Sequence, residues 1–139
     1  MSCALNYPII RDYLDVDFSS TTTPSIVTPS NANLGGIMLL YIALNSNATI
    51  STPSGYTLIY KTESSSTYGS MALLYKIIDS GDIGASTTIS LGSSSSGTIG
   101  KVVIIGRTSS PYFSTTSSNN YYANSSTTSL TTSTPGRLS

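Results

Sequence analysis

The feature that most constrains the fold is an apolar run at residues 37–44, which follows a Gly-Gly pair and leads to a Pro-Ser-Gly turn at residues 53–55. An aromatic segment, residues 56–62, comes after the turn, and a third apolar run occupies residues 71–78. Eight apolar residues are too few to cross a bilayer, since a membrane helix needs about 20. The first run therefore predicts a β-strand buried on both faces at the centre of a sheet.

Further strands are predicted wherever apolar and polar residues alternate between turn signals. Segments of this kind are residues 14–18, 25–28, 48–51, 87–91 and 100–106. The Ser-rich residues 92–97 predict a loop, and no window carries the apolar stripe of an amphipathic helix. About eight strands separated by turns predict an all-β fold, an antiparallel β-sandwich of jelly-roll or immunoglobulin-like type with extended polar arms.

Composition divides the chain into a central sandwich and two polar arms. Residues 1–24 are interpreted as an N-terminal arm with one strand, residues 25–107 as the β-sandwich, and residues 108–139 as a Ser/Thr/Asn/Tyr-rich arm or the start of a further strand. Paired aromatic residues in the last segment favour an arm docked on a neighbour over a disordered tail. The candidate contacts between subunits are Tyr112, Phe113, Tyr121, Tyr122 and Leu130.

Charge and composition exclude several classes of partner. Serine and threonine make up 49 of the 139 residues, and six basic residues balance six acidic ones. A neutral chain lacks the basic face that binds nucleic acid or an anionic membrane, so we expect neither as a partner. The first fifteen residues lack the basic start and apolar core of a secretory signal. We therefore expect synthesis in the cytoplasm, after which the protein either stays there or leaves by lysis or assembly.

The residue types needed for most catalytic and metal sites are missing. The chain has no histidine and a single cysteine, Cys3, which excludes a Ser-His-Asp triad, a His/Cys zinc site and an internal disulfide. The aspartates at residues 12–17 lack the glycine and glutamate of a calcium loop and predict a solvated strand face. Those at residues 79–82 predict a turn. We therefore predict no enzymatic activity, no catalytic residue, no cofactor and no metal.

Five short motifs follow one another in a set order over about residues 25–106. They are Thr28-Pro29, Leu34-Gly35-Gly36, Pro53-Ser54-Gly55-Tyr56-Thr57-Leu58-Ile59, Leu74-Tyr75-Lys76-Ile77 and Val102-Val103-Ile104-Ile105-Gly106. This order resembles a β-sandwich domain of structural proteins of tailed bacteriophages, in which Trp usually stands at Tyr56 and Asp at Gly36. Similar proteins continue into another apolar strand beyond the residues that match 130–138 here. Either a neighbour's strand completes the fold, or the sequence is part of a longer protein.

The resemblance implies a non-enzymatic virion component, either a capsid decoration or cement protein or a fibre-anchoring domain. Its implied partners are other virion proteins and copies of itself, in a homo-oligomer such as a trimer held through the arms. The alternative is a glycan-binding adhesin module of a tail fibre or cell surface, with Tyr121 and Tyr122 stacking on the sugar rings of a host glycan. A host-encoded surface or matrix protein is a third interpretation, against which the missing signal peptide counts.

Overall fold

The protein was analysed as a computed structural model that describes residues 9–63 and 69–105 in full, and the backbone of residues 114–120 and 125–131. Its strands are β1 (Ile9–Thr21), β2 (Ser25–Val27), β3 (Ile37–Leu44), β4 (Thr57–Thr62), β5 (Met71–Ile77), β6 (Ser86–Thr88), β7 (Ser95–Ile105), β8 (Ser114–Asn120) and β9 (Ser125–Thr131). The described residues contain strands and turns and no helix. Within them, accordingly, no helix is long and apolar enough to span a membrane.

Two antiparallel sheets pack against each other as a β-sandwich. The larger sheet has five strands in the order β1-β7-β3-β5-β4, and the smaller pairs β2 with β6. A bridge between Ile50 and Leu91 extends the smaller sheet by a third segment. Strands β8 and β9 form a separate antiparallel pair. The predicted all-β sandwich is confirmed, and β3 occupies the central position that its apolar run predicts.

The core lies between the two sheets and follows from the alternation of side chains along β3, β5 and β7. Leu40, Leu74 and Ile99 project from the larger sheet and are fully buried. They pack in one cluster with Ile26 and Ile89 of the smaller sheet. Full burial of such a side chain stabilises the fold by about 1.5–3 kcal/mol. This shared layer holds the two sheets face to face.

Strand β7 begins at Ser95, within the segment that the serines and glycines predict to be a loop. That boundary prediction is wrong because strand pairing outweighs the weak β propensity of these residues. Gly97 lies opposite Phe18 on β1 and Leu44 on β3, so its main chain is held from both sides. Conversely, residues 48–51 were predicted to form a strand, but in the structure they form only an isolated bridge between Ile50 and Leu91.

Two side chains from the end of β4 close one side of the sandwich. Ile50 donates its N–H to Glu63 Oε1 over 2.8 Å, and its carbonyl accepts a bond from Lys61 Nζ over 3.1 Å. Lys61 Nζ also lies 3.0 Å from Glu63 Oε1. The Ile50 N–H bond and then the Lys61 bond hold the pKa of Glu63 below its ordinary 4.5. These contacts link the edge of the smaller sheet to β4.

We expect Glu63→Ala to lower the free energy of unfolding at pH 7 by about 1 kcal/mol, because it leaves the Ile50 N–H without its acceptor. Glu63→Gln retains an acceptor and is expected to cost less. Since folding lowers the pKa of Glu63, its ionic contribution is present above pH 4.5 and is lost as the pH falls through the folded-state pKa. Urea unfolding at pH 7 and at pH 3.5 measures both effects. Identical stability of all three proteins at pH 7 would show that the link does not stabilise the sandwich.

Candidate interaction surface

The face of the five-stranded sheet turned away from β2 and β6, here called the outer face, is largely apolar. One cross-strand row of this face runs Ile10, Ile104, Ile37 and Ile77 over four neighbouring strands. Ile37 and Ile104 at its centre are each 2% exposed, whereas Ile10 is 56% and Ile77 37% exposed at its ends. Apolar side chains therefore remain in contact with solvent on both flanks of the outer face.

A second row crosses the same strands with Tyr13, Val102, Leu39 and Tyr75. Tyr13 on β1 is 69% exposed, and Met71 at the far end of β5 is exposed as well. Over β1, β7, β3 and β5 these two rows cover on the order of 250 Å². Their central residues Ile37, Leu39 and Ile104 are buried within the single chain, so the exposed apolar residues lie at the flanks. Exposed apolar patches on a protein surface often mark interaction sites.

The polar part of the outer face is organised around Gly100. Gly100 lies between Asp15 on β1 and Tyr41 on β3, and a Cβ atom at this glycine would overlap the Tyr41 ring. The ring therefore crosses β7, and Tyr41 Oη donates to Asp15 Oδ2 over 3.3 Å. Burial, and then the Asp15 carboxylate, raise the pKa of Tyr41 above its ordinary 10.0, so the hydroxyl remains a donor at neutral pH.

The aspartates of β1 were predicted to form a solvated face, and the structure adds specific partners for them. Asp17 Oδ1 accepts a hydrogen bond from Thr98 Oγ1 over 2.6 Å. The two oxygens of Asp12 accept the N–H groups of Tyr13 and Asn31 over 2.9 and 3.1 Å. These bonds fix exposed carboxylates in place on an edge strand.

β1 forms an edge of the larger sheet, and among the described strands it pairs only with β7. The Tyr13 N–H binds a side chain of β1 itself, so it points away from β7. Because the direction of main-chain groups alternates along a strand, those of Asp15 and Asp17 also point outward. The middle of β1 therefore presents an open row of donors and acceptors.

The side chain of Lys101 lies on the opposite, inner face and is completely buried. Its Nζ donates to Thr28 Oγ1 over 3.1 Å. Burial lowers the pKa of Lys101 to about 8, although the Asp82 carboxylate acts in the opposite direction. The sequence analysis missed this buried cation, and its signal was the alternation of Lys101 with Ile99 and Val103 along an apolar strand.

A small ionic cluster lies in the same region. Lys76 Nζ binds Asp82 Oδ1 over 2.8 Å, and Asp79 Oδ2 is 3.8 Å away. Burial opposes ionisation of Asp82, but the Asp79 N–H and Lys76 outweigh it and keep the pKa of Asp82 below 3.8. The Gly81 N–H binds Asp79 Oδ1 over 2.9 Å, which confirms the predicted turn role of these aspartates. Across residues 9–63 and 69–105, no three metal-ligating side chains converge on one point.

The residues predicted from the sequence as contacts between subunits cannot be placed on this surface. Tyr112, Phe113, Tyr121 and Tyr122 lie outside the described residues. Leu130 lies opposite Thr115 in the β8–β9 pair, and only its backbone is described. All five therefore stay predictions. The outer face was not among the predicted sites, although the apolar character of residues 37–44 on both strand faces was the signal for it.

The geometry thus offers an apolar sheet face and an open strand edge beside each other. Comparison of the chain with protein-family models, with curated proteins and with solved structures finds no match. The resemblance to structural domains of tailed bacteriophages therefore remains a prediction from the sequence motifs.

Proposed function

We propose that the chain is a non-enzymatic structural protein of a virus particle, a capsid decoration or fibre-anchoring domain that assembles with copies of itself and with other virion proteins. The observation that supports assembly is the set of exposed apolar side chains at the flanks of the outer face. Ile10 and Tyr13 on β1 and Met71 and Ile77 on β5 are exposed, whereas the centre of the face is buried within the chain. Exposed apolar side chains on both flanks are best explained by contact with another protein.

The size of the outer face limits what it can do alone. A standard stable interface buries about 800 Å² on each partner, and the two apolar rows of the outer face offer about a third of this. Association also has to overcome the loss of translational and rotational freedom. The outer face is therefore one part of a larger contact, to which strand edges or arms add. The sequence resemblance likewise implies that neighbouring copies are held through the arms.

The charge balance fits the same proposal. Six positive and six negative residues leave no net charge to steer a charged partner. Contacts would then depend on apolar burial and main-chain pairing. Both are insensitive to the ionic conditions that a particle meets outside a cell. The proposal that the particle is a virion rests on the order of the motifs between residues 25 and 106.

The location is tested on purified virus particles from the strain that encodes the chain. We expect mass spectrometry of density-gradient particles to find the protein at a fixed ratio to the major capsid or tail protein. The unassembled fraction of the same lysate serves as the control. Detection only in the particle-free fraction would overturn the proposal.

The outer face is tested by charge insertion at its flanks. We expect Ile10→Lys with Ile77→Lys to weaken self-association at least tenfold, because two ammonium groups must then be desolvated at the contact. Ile83→Lys is the matched control, since Ile83 is also exposed but lies in a turn after β5. Sedimentation velocity measures the association constants. Equal association of the double variant and the control would remove the outer face from the interface.

A further inference from the structure

We propose that the open edge of β1 receives the β8–β9 hairpin of a neighbouring copy, which extends the five-stranded sheet across the contact. The inference rests on the proposed function, because it presumes that copies of the chain assemble. In that assembly, β1 is the receiving strand and the β8–β9 hairpin is the donated element.

The β4 edge is poorly suited to receive another strand. Its register shifts between Leu58 and Tyr60, so the ladder with β5 is irregular at the middle of the strand. The side chains of Lys61 and Glu63 then engage Ile50 beside it. Irregular pairing and edge-covering side chains are common ways of blocking strand addition.

The β1 edge is longer and remains open along its middle. β1 spans 13 residues, and its register with β7 is continuous from Asp12 to Phe18. Asp12 covers the Tyr13 N–H. The outward main-chain groups of Asp15 and Asp17 face no described strand, because β1 is an edge strand whose one described partner is β7. Such groups are the template for addition of an extended segment.

A second β1 is a poor occupant of this edge. β1 carries three aspartates, Asp12, Asp15 and Asp17, against one arginine, Arg11. Antiparallel pairing of two such strands would bring carboxylates of one copy close to those of the other. Like charges placed opposite each other destabilise a strand pair. The charge of β1 therefore favours a neutral or basic strand.

The β8–β9 hairpin meets that requirement. Neither strand contains a charged residue, and the whole segment 106–139 carries two arginines, Arg107 and Arg137, and no acidic residue. β8 and β9 pair antiparallel from Ser114–Thr131 to Asn120–Ser125, so each strand also has an outer edge. In the single chain, neither of them joins the sheet of β1. A neighbouring copy is therefore the source that we infer.

An edge on one copy and a hairpin on the next make a heterologous contact. Contacts of this kind build rings when the rotation between copies closes, and a trimer is one such ring. The outer face lies beside β1, since Tyr13 and Ile10 belong to both. Docking of the hairpin would thus add its buried area to that of the outer face in the same contact.

Two variants of the full chain test the inference by complementation. Asp17→Pro removes an outward N–H from β1 and leaves the bonds to β7 in place, with Asp17→Asn as its control. Ser117→Pro with Thr128→Pro disrupts the β8–β9 pair at facing positions, with Ser117→Ala and Thr128→Ala as its control. Sedimentation equilibrium measures the mass of each protein alone and of a 1:1 mixture, and circular dichroism verifies that each one folds.

We expect each proline variant alone to associate at least tenfold more weakly than the wild type, while both controls assemble normally. The mixture should form a heterodimer of twice 14.5 kDa, because one copy retains the edge and the other retains the hairpin.

Two outcomes would overturn the inference while leaving the proposed function intact. They are normal assembly of either proline variant, and a mixture of folded variants that stays monomeric. Wild-type protein that is monomeric at every concentration would contradict the proposed function itself. The two failures are therefore distinguishable in one series of measurements.

Discussion

Replacing Lys101 by methionine is expected to raise the free energy of unfolding at pH 7 by about 2 kcal/mol. Folding lowers the pKa of this buried lysine from 10.5 to about 8, which corresponds to a penalty on the order of 3 kcal/mol for holding the charge in the core. Methionine has a similar length and no charge, but it leaves the Thr28 hydroxyl without its donor, at a cost of about 1 kcal/mol. The stabilisation is the difference between these two effects.

The same residue is expected to make stability depend on pH. Below about pH 8 the lysine is protonated in both the folded and the unfolded chain, so the penalty is fully present. Between pH 8 and 10.5 the unfolded chain binds more protons, so the free energy of unfolding rises with pH. The raised pKa values of Tyr41 and Tyr56 act in the opposite direction above pH 10.0. The clean window is therefore pH 7 to 10.

Urea unfolding of wild type and Lys101→Met at several pH values from 7 to 10 checks this prediction. Groups other than Lys101 titrate in both proteins, so the difference between the two curves isolates the lysine. We expect that difference to shrink as the pH rises. A Lys101→Met protein that is less stable than wild type at pH 7, with a parallel pH profile, would show that the lysine is not held at a penalty in the core.

The second large effect is expected at Gly97, where Gly97→Ala should lower the free energy of unfolding by about 3 kcal/mol. A Cβ atom at Gly97 would overlap the carbonyl oxygen of Ala43 on β3. That oxygen belongs to the backbone and cannot rotate away. Because Gly97 pairs with both β1 and β3, relief of the overlap has to displace strands that contribute to the core.

Gly84→Ala is the matched control for this substitution. Gly84 has a φ of +74° but nothing within 4 Å of the added Cβ atom, so only backbone strain of about 1 kcal/mol is expected. Thermal and urea unfolding of the two alanine variants measure the difference. Equal losses at both sites would mean that the Cβ overlap at Gly97 adds no cost and that β3 and β7 approach less closely than described.

The all-β sandwich could be predicted because its signals are local. The apolar runs of β3 and β5 and the alternation in β1 each identify a strand without reference to any other part of the chain. The start of β7 could not be predicted, since Ser95 and Ser96 become strand only because β1 and β3 pair with that segment. The identity of a serine carries no information about pairing partners that are distant in the sequence.

The outer face could not be predicted from the sequence for the same reason. The predicted contacts between subunits were aromatic residues of a polar arm, and Tyr112, Phe113, Tyr121 and Tyr122 lie outside the described residues. The outer face needed a different inference, namely that apolar residues on both faces of β3 require cover on both sides. The burial of Lys101 needed knowledge of which face of β7 meets the second sheet. Neither follows from the order of residues in a single strand.

The mass of the full-length wild-type chain in solution tests the central claim most directly, because every part of the proposed function depends on assembly. Sedimentation equilibrium from roughly 1 to 100 µM covers the affinities of moderately stable oligomers. We expect a mass of two or more times 14.5 kDa at the upper end of this range. A mass of 14.5 kDa throughout this range would contradict it.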